Sequence, residues 1–503
     1  MFIFETQLKK VKHEVLKKIA ILTKEGNLNQ ESLGRIHEGI VDKEIPQYRC
    51  CVYKERAIVS QRAKLVAGYL PYGDAEDELI DIKNDSQIIY VVQAACDKCP
   101  INRYTVTEAC RGCIAHKCME VCPTKAIIKV GGKAYINQEL CKECGLCKKN
   151  CPYDAISEVL RPCKVVCPTG ALTETDDRRS FIKYDDCIQC GACMKACPFG
   201  AISDKSFIEP VVRHLCDGQK LYAIVAPSIS GQFGNNVSLG QIRNALLNVG
   251  FKEMYEAACG ADIVTVHEAN ELIHRLESGD KYMTNSCCPA FVNYIEKKFP
   301  NEISCISSTV SPMIATGKYI KSMDKDAKIV FIGPCTAKKS EINRKEVKGI
   351  IDYVLTFEEL SALLDAFDMD PESCEKSTVD SASVFGRGFG ASGGLTSAIQ
   401  NYIESKDLDV DFKPIKINGP LDLKRTLTLA KVGKLQNNFI EGMMCEDGCI
   451  GGPGAVLPPL STKSTFNKES KISTIKSVAE NELINKFKNI DLERKIEETE
   501  DID

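Results

Sequence analysis

The sequence predicts a multidomain chain of mixed class: an N-terminal helical segment, a small cysteine-rich α+β region, then a larger α/β domain. Three observations carry that prediction. Apolar residues recur at helical spacing in Val11-Lys12-His13-Glu14-Val15-Leu16-Lys17-Lys18-Ile19, a Cys-Pro-x-x-Ala-Ile/Leu unit recurs between residues 122 and 202, and from about residue 210 short apolar runs alternate with helical segments. At 503 residues the chain has room for about three domains.

Composition narrows the function classes. With 44% apolar and 27% charged residues the chain is of ordinary globular type, and a net charge of -4 offers neither a field for nucleic acid nor a patch for anionic membrane. No run of about 18 apolar residues is present, and the start Met1-Phe2-Ile3-Phe4-Glu5 opens no long apolar leader, so a cytoplasmic protein without a membrane partner is expected. In a reducing compartment 27 cysteines call for metal ligation rather than disulfides, and 19 of them precede residue 220. Trp is absent and only 6 His occur, which gives imidazole-based metal sites and haem little support.

Residues 1–88 read as a small helical domain. Its Cys50 and Cys51 are adjacent and cannot easily ligate one cubane, so structural and redox roles both stay open for them.

Residues 89–209 carry the repeat. Its four copies are Cys122-Pro123-Thr124-Lys125-Ala126-Ile127, Cys151-Pro152-Tyr153-Asp154-Ala155-Ile156, Cys167-Pro168-Thr169-Gly170-Ala171-Leu172 and Cys197-Pro198-Phe199-Gly200-Ala201-Ile202, each the ending of a half-ferredoxin. Cys141-x2-Cys144-x2-Cys147-x3-Cys151-Pro152 matches the bacterial ferredoxin run, in which three thiolates wrap one 4Fe-4S cluster and the fourth reaches a neighbour. Cys110-x2-Cys113-x4-Cys118-x3-Cys122 is a variant with a wider gap. These eight are expected to hold two clusters, Cys151 crossing to the first and Cys122 to the second. Cys187-x2-Cys190-x2-Cys193-x3-Cys197 is a further full run, whose partner keeps only Cys163-x3-Cys167; Cys96-x2-Cys99 has the spacing to supply the missing pair. The segment thus resembles four-cluster ferredoxin-like electron-transfer subunits, with Cys187, Cys190, Cys193 and Cys167 on a third cluster and Cys96, Cys99, Cys163 and Cys197 on a fourth. Zinc is the alternative for Cys-x2-Cys pairs, above all for Cys96 and Cys99. A row of such clusters passes electrons singly and does no substrate chemistry.

Residues 210–460 read as the α/β domain, from runs such as Leu221-Tyr222-Ala223-Ile224-Val225 and Ala327-Lys328-Ile329-Val330-Phe331-Ile332. The segment 461–503 reads as a polar tail that frays, ending in Glu497-Glu498-Thr499-Glu500-Asp501-Ile502-Asp503.

Three segments of the α/β domain stand apart: Asn285-Ser286-Cys287-Cys288-Pro289, Gly333-Pro334-Cys335-Thr336-Ala337-Lys338-Lys339-Ser340-Glu341 and Met443-Met444-Cys445-Glu446-Asp447-Gly448-Cys449-Ile450-Gly451-Gly452. In this order they resemble the three signatures of FeFe-hydrogenases. The resemblance implies an H-cluster, a 4Fe-4S cubane joined to a di-iron subsite with CO, CN and a bridging dithiolate. By the same resemblance Cys288, Cys335, Cys445 and Cys449 ligate the cubane, Cys449 bridges to the di-iron subsite, and Cys287 exchanges protons with it. Lys338 lies where the family has a lysine bonded to a cyanide, and Ala226-Pro227-Ser228 resembles the loop that contacts the second cyanide. Phe389-Gly390-Ala391-Ser392-Gly393-Gly394 and Met443 resemble segments packed around the cofactor, and Glu341 matches a glutamate that steadies its loop. Glu268, Glu271 and Ser307 align with the family's outward proton path, although two carboxylates three apart could equally be a solvated helix face.

The implied activity is that of an FeFe-hydrogenase, reversible 2 H+ + 2 e- = H2, with electrons exchanged through the accessory clusters with soluble ferredoxin or a similar one-electron carrier, and with maturation proteins inserting the cofactor. Departures matter: Gly333 replaces a methionine, Met313 a glutamine, and Asn285 and Ala290-Phe291 a threonine and Gly-Trp. They resemble the ferredoxin-rich branch often called group B. Two alternatives stay open, a sensor with the same cofactor and slow turnover, and a hydrogenase-like iron-sulfur assembly protein.

Overall fold

A computed structural model describes residues 4–42, 44–72, 79–97, 99, 102–175, 179–487 and 489–494, so the acidic run 497–503 lies outside the described residues. Helix α1 (Gln7–Lys24) starts at Thr6, whose side chain accepts from the Lys9 amide, and α2 (Val52–Val66) follows.

The repeat region is a set of short antiparallel pairs: Ile89–Val91 with Ile202–Asp204, Tyr104–Val106 with Ile156–Glu158, Ile127–Val130 with Lys133–Ile136, and Leu172–Glu174 with Ser180–Ile182. Ile127, Ile156, Leu172 and Ile202, the last residues of the four motifs, each open a strand. The residue before each motif alanine is left-handed, Lys125, Asp154, Gly170 and Gly200 at φ 52, 48, 74 and 59. That turn brings the alanine amide back to the motif thiol in three copies: Ala126 N to Cys122 Sγ at 3.2 Å, Ala155 N to Cys151 Sγ at 3.4 Å and Ala201 N to Cys197 Sγ at 3.3 Å. Amide donors to sulfur favour a thiolate and tune a cluster's potential, so the spacing serves ligation as well as folding.

Seven strands build the α/β part: β1 (Leu221–Val225), β2 (Glu253–Glu256), β3 (Met283–Thr284), β4 (Lys328–Ile332), β5 (Tyr353–Leu355), β6 (Pro414–Asn418) and β7 (Phe439–Met443). One sheet has the order β2-β1-β4-β5 and the other β3-β7-β6, all pairs parallel. Strands covered on both faces need near-continuous apolar runs, and Leu221, Ala223, Ile224, Ile329, Val330 and Ile332 are fully buried. In open parallel sheets the ligand crevice lies beyond the carboxyl ends of the strands. Ala226, Asn285, Gly333 and Met444 directly follow β1, β3, β4 and β7, which places every signature loop there. Helix α3 (Ala257–Glu277) follows β2, α4 (Pro289–Lys298) begins at Pro289 straight after Cys288, and α5 (Phe357–Ala366) has a Thr356/Glu359 capping box.

Two expectations change. Residues 1–88 are not a separate helical domain: Val11, Val15 and Ile19 of α1 share one core with Leu360, Leu363 and Leu364 of α5, and His13 Nε2 lies 2.9 Å from Asp365 Oδ2. Nor is the chain after 461 a fraying tail as far as it is described. A helix spans Pro459–Ser470, Phe466, Val478, Phe487 and Leu492 are buried, and Val310 N donates to Leu492 O at 2.8 Å. Widely spaced apolar residues in a polar segment hid this docking.

A buried lysine ties the repeat region to the α/β part. Lys339 is fully buried, with Nζ 2.7 Å from Asp204 Oδ2, 2.8 Å from Glu359 Oε2 and 2.8 Å from Lys205 O. Removing it strands two carboxylates, so Lys339→Met should cost about 3–5 kcal/mol in denaturant unfolding of the cluster-free chain.

Candidate metal centre and proton path

The cysteines gather in groups. Cys110, Cys113, Cys118 and Cys151 line one cavity; Cys122, Cys141, Cys144 and Cys147 line a second. Burial, then the nearby Cys163, Cys197 and Cys96, push the Cys99 thiol up, while Arg161 opposes it. Cys193 is pushed well up by burial and by Cys190, Cys187 and Cys167, with Cys163 close by, so the third and fourth groups adjoin. Among the described residues no three Cys, His, Asp or Glu side chains converge to hold a single metal ion. Thiols spread around a cavity suit a polynuclear cluster.

The third group abuts the signature loops. Thr336 Oγ1 donates to Gln189 O at 2.8 Å, and a Cβ on Gly191 (φ 72) would lie 2.6 Å from Thr336 Oγ1 and 2.7 Å from Pro453 Cγ. Only glycine permits that approach. It sets Cys190 beside Cys335 and Cys445, each of which adds to the charge the other thiols feel.

Beyond the strand ends lies a mainly apolar chamber lined by Cys287, Cys288, Cys335 and Cys449, with Lys338 and Met313. Ala226, Pro227, Ser228, Phe389, Gly390 and Met443 complete it. Cys445 stands behind the wall and feels Cys335, Cys288 and Cys449. Burial pushes the Cys335 thiol up to about 11 and that of Cys449 up to about 12. Lys338 remains charged in this apolar place: burial opposes the charge, and Glu341, 2.7 Å away, outweighs it and holds the ammonium above the usual lysine range. Its Nζ also donates to Cys287 O at 3.4 Å.

Cys287 is gripped from the side. The buried Asn285 Nδ2 donates to its Sγ at 3.1 Å, and Asn285 Oδ1 accepts the Gly442 amide at 2.7 Å, fastening the thiol to β7. Burial first, then the charge of Glu268, pushes the Cys287 thiol well up. The solvated-face alternative for Glu268 fails, since this residue is fully buried. Its Oε1 accepts the Ser286 amide and hydroxyl, each at 3.2 Å, and Oε2 has no partner. Ser307 lies near Glu268 and donates through Oγ to Glu271 Oε2 at 2.7 Å. Glu271 is met by the Ser308 amide at 2.9 Å and by Arg275 at 2.7 Å. Burial first, with the charge of Glu271, pushes Glu268 up to about 8 against the Ser286 amide; burial also opposes ionisation of Glu271, but the Ser308 amide, Ser307 and Arg275 hold it below the usual carboxylate range. A neutral carboxyl next to a charged one is an arrangement for passing a proton.

The chamber fits a cofactor with anionic ligands. Ser228 Oγ is buried on its wall with no hydrogen-bond partner, an orphaned donor matching the cationic Lys338. Sequence reasoning missed several supports. Glu441 on β7, fully buried, accepts the Gly393 amide at 2.8 Å, the Thr396 amide at 2.8 Å and the Thr396 hydroxyl at 2.6 Å, holding the Gly-rich turn. Phe331 fills the space at Gly333, where a Cβ would meet the ring at 2.6 Å. A lone Glu inside an apolar strand was the available signal for the first; nothing signalled the second.

Fold and site together define an iron-sulfur redox protein with an H-cluster-binding domain. Residues 219–453 match the family described as iron only hydrogenase large subunit, C-terminal domain, and residues 134–157 and 181–203 match the 4Fe-4S binding domain. Residues 219–453 thus form an FeFe-hydrogenase-like domain. It is 29% identical over 302 residues to iron hydrogenase 1 of Clostridium pasteurianum, an alignment covering 50% of this chain and 53% of that one, so the match spans about half of either. Over 150 residues it is 32% identical to the cytosolic Fe-S cluster assembly factor NAR1 of Scheffersomyces stipitis, 26% of this chain and 28% of that one. An apo FeFe-hydrogenase HydA1 variant of Chlamydomonas reinhardtii superposes with TM-score 0.45 at 21% identity, over 54% of this chain and 89% of that chain. No helix among the described residues is long and apolar enough to cross a membrane.

Proposed function

We propose that this chain is a hydrogenase interconverting protons, electrons and H2, and that it exchanges electrons with a soluble ferredoxin-type carrier. One observation carries the reading: a single chamber gathers the Cys287 thiol, the Lys338 cation and three of the four ligand-type cysteines, and beside it stand the buried Glu268 and, bonded to Ser307, Glu271. Cys288, Cys335, Cys445 and Cys449 would hold the cubane, with Lys338 and Ser228 donating to anionic ligands of the di-iron subsite. The cofactor supplies the open metal position and electron store that proton reduction needs. Cys287 holds the proton nearest that position, Glu268 receives and returns it, Ser307 passes it on, and Glu271 meets solvent-side groups. None of the 27 cysteines forms a disulfide, which suits a cytoplasmic, reducing setting.

Production with and without the maturation enzymes that insert the di-iron unit tests the reading. Matured protein should evolve H2 from a reduced dye and show CO and CN infrared bands. Bands without turnover would indicate a sensor. Absence of both would favour an assembly carrier, the reading that the NAR1 similarity supports. Iron content supplies another check. Five cubanes and a di-iron unit predict roughly 22 iron atoms per chain, and Cys110→Ser with Cys113→Ser should remove about 4 while dye-driven evolution persists.

A further inference from the structure

Residues 103–159 form a self-contained body: among the described residues their hydrogen bonds close within it, from Arg103 to Glu158 at 2.7 Å to Gln138 on Tyr104 O at 3.1 Å. The third cysteine group, by contrast, packs against the α/β part, where Ile188 and Cys190 join the core of Phe291 and Ile440, and the fourth adjoins the third through Cys163. The first two groups thus stand at the outer end of the row. Their surroundings differ from the rest of a chain whose net charge is -4. The cavity of Cys110, Cys113, Cys118 and Cys151 is lined by Arg111, His116, Lys117, Lys129 and Lys133 and by no carboxylate. Beside it two apolar side chains project into solvent, Ile114 at 95% exposure and Tyr153 at 54%. Nothing in the fold needs Ile114 there, because the core of this body is made by Tyr104, Ile127, Ile136 and Ile156.

A small apolar centre with a mainly basic rim, where Glu108 is paired with Lys133, is the design of a transient interface, in which complementary charge speeds encounter and modest apolar area keeps the complex short-lived. We propose that this face, centred on Ile114 and Tyr153 and rimmed by Arg111, Lys117 and Lys129, is the docking site of an acidic one-electron carrier protein, and that electrons cross at the Cys110/Cys113/Cys118/Cys151 cluster. This deepens the proposed function and rests on that cluster being present. The excess of basic groups favours an acidic carrier over a basic one at this face, and its small apolar centre does not suit a permanent subunit.

The test is stopped-flow reduction of the holo chain by a reduced, strongly acidic two-cluster ferredoxin, followed by bleaching of the iron-sulfur absorbance, with dithionite reduction as reference. Arg111→Glu/Lys117→Glu/Lys129→Glu should slow ferredoxin-driven reduction roughly tenfold or more at low salt, converge on the parent rate at high salt and leave dithionite reduction unchanged. Lys424→Glu/Arg425→Glu/Lys431→Glu, the same charge change on an exposed helix face elsewhere, should have little effect. Lys117→Gln/Lys129→Gln, with iron content measured, should give a smaller loss of the same sign. Unchanged ferredoxin rates, or an equal loss in the control triple, would overturn the proposal. Salt-sensitive reduction in a protein that evolves no H2 from dye would leave the docking face standing and remove the hydrogenase reading instead.

Discussion

Cys287→Ala is expected to lower H2 turnover by on the order of 10²–10⁴-fold while leaving the iron content and the CO and CN infrared bands in place. The thiol lines the chamber and lies close enough to the buried Glu268 to feel its charge, and the Asn285 amide at 3.1 Å fixes its sulfur. The neighbouring Ser286 is already committed, its one hydroxyl proton shared between Glu268 Oε1 and Thr309 O, so it offers no substitute. Cys287→Ser should recover little, because a hydroxyl gives up its proton far less readily than a thiol. Cubane ligation should survive, since the four ligand-type cysteines are held by other loops and by Pro289 at the start of α4. Anaerobic H2 evolution from reduced dye, with infrared spectra of the same samples, measures both effects. Turnover near the parent level in a fully loaded Ala variant would remove Cys287 from the proton path.

The pattern of legibility follows from where each piece of information resides. Cluster spacing is local: a left-handed turn and a returning amide require a fixed number of residues, so Cys-Pro-x-x-Ala can be read directly from the chain, and the structure groups the cysteines accordingly around cavities. The strand-then-loop order of the signatures is likewise local, since each loop leaves the end of a short apolar run. What escaped is long-range. That α1 completes the α5 core depends on surface complementarity between residues far apart in the chain, such as His13 with Asp365, 352 residues on. The contact of Leu492 with Val310 and the cradle of Glu441 around Gly393 have no periodic signature at all. Asn285 was legible as a departure, but its consequence, an amide aimed at the Cys287 sulfur and locked to Gly442, needed β3 and β7 to be paired.

The second large effect is expected at Glu268, and it should show in two independent measurements. Glu268→Gln keeps a carbonyl oxygen for the Ser286 amide but cannot take up and release a proton, so turnover should fall about 10²-fold or more. The parent enzyme should lose H2 evolution as pH rises through about 8, where burial places this carboxyl, and the variant's residual rate should lack that limb. Stability supplies the other measurement. Because the folded-state value lies above that of the unfolded chain, near 4.5, the folded state binds more protons between the two. Its contribution is therefore complete below pH 4.5 and is lost as pH rises toward and through 8. Glutamine carries no such titration, so in the cluster-free chain the variant should match the parent near pH 5 and exceed it by on the order of 3–5 kcal/mol at pH 9. A purely structural Glu268 would give the stability shift without the loss of turnover, and a solvent-bathed one would give neither. Parallel pH–stability curves for parent and variant, together with unchanged kinetics, would mean that protons leave the chamber by another route.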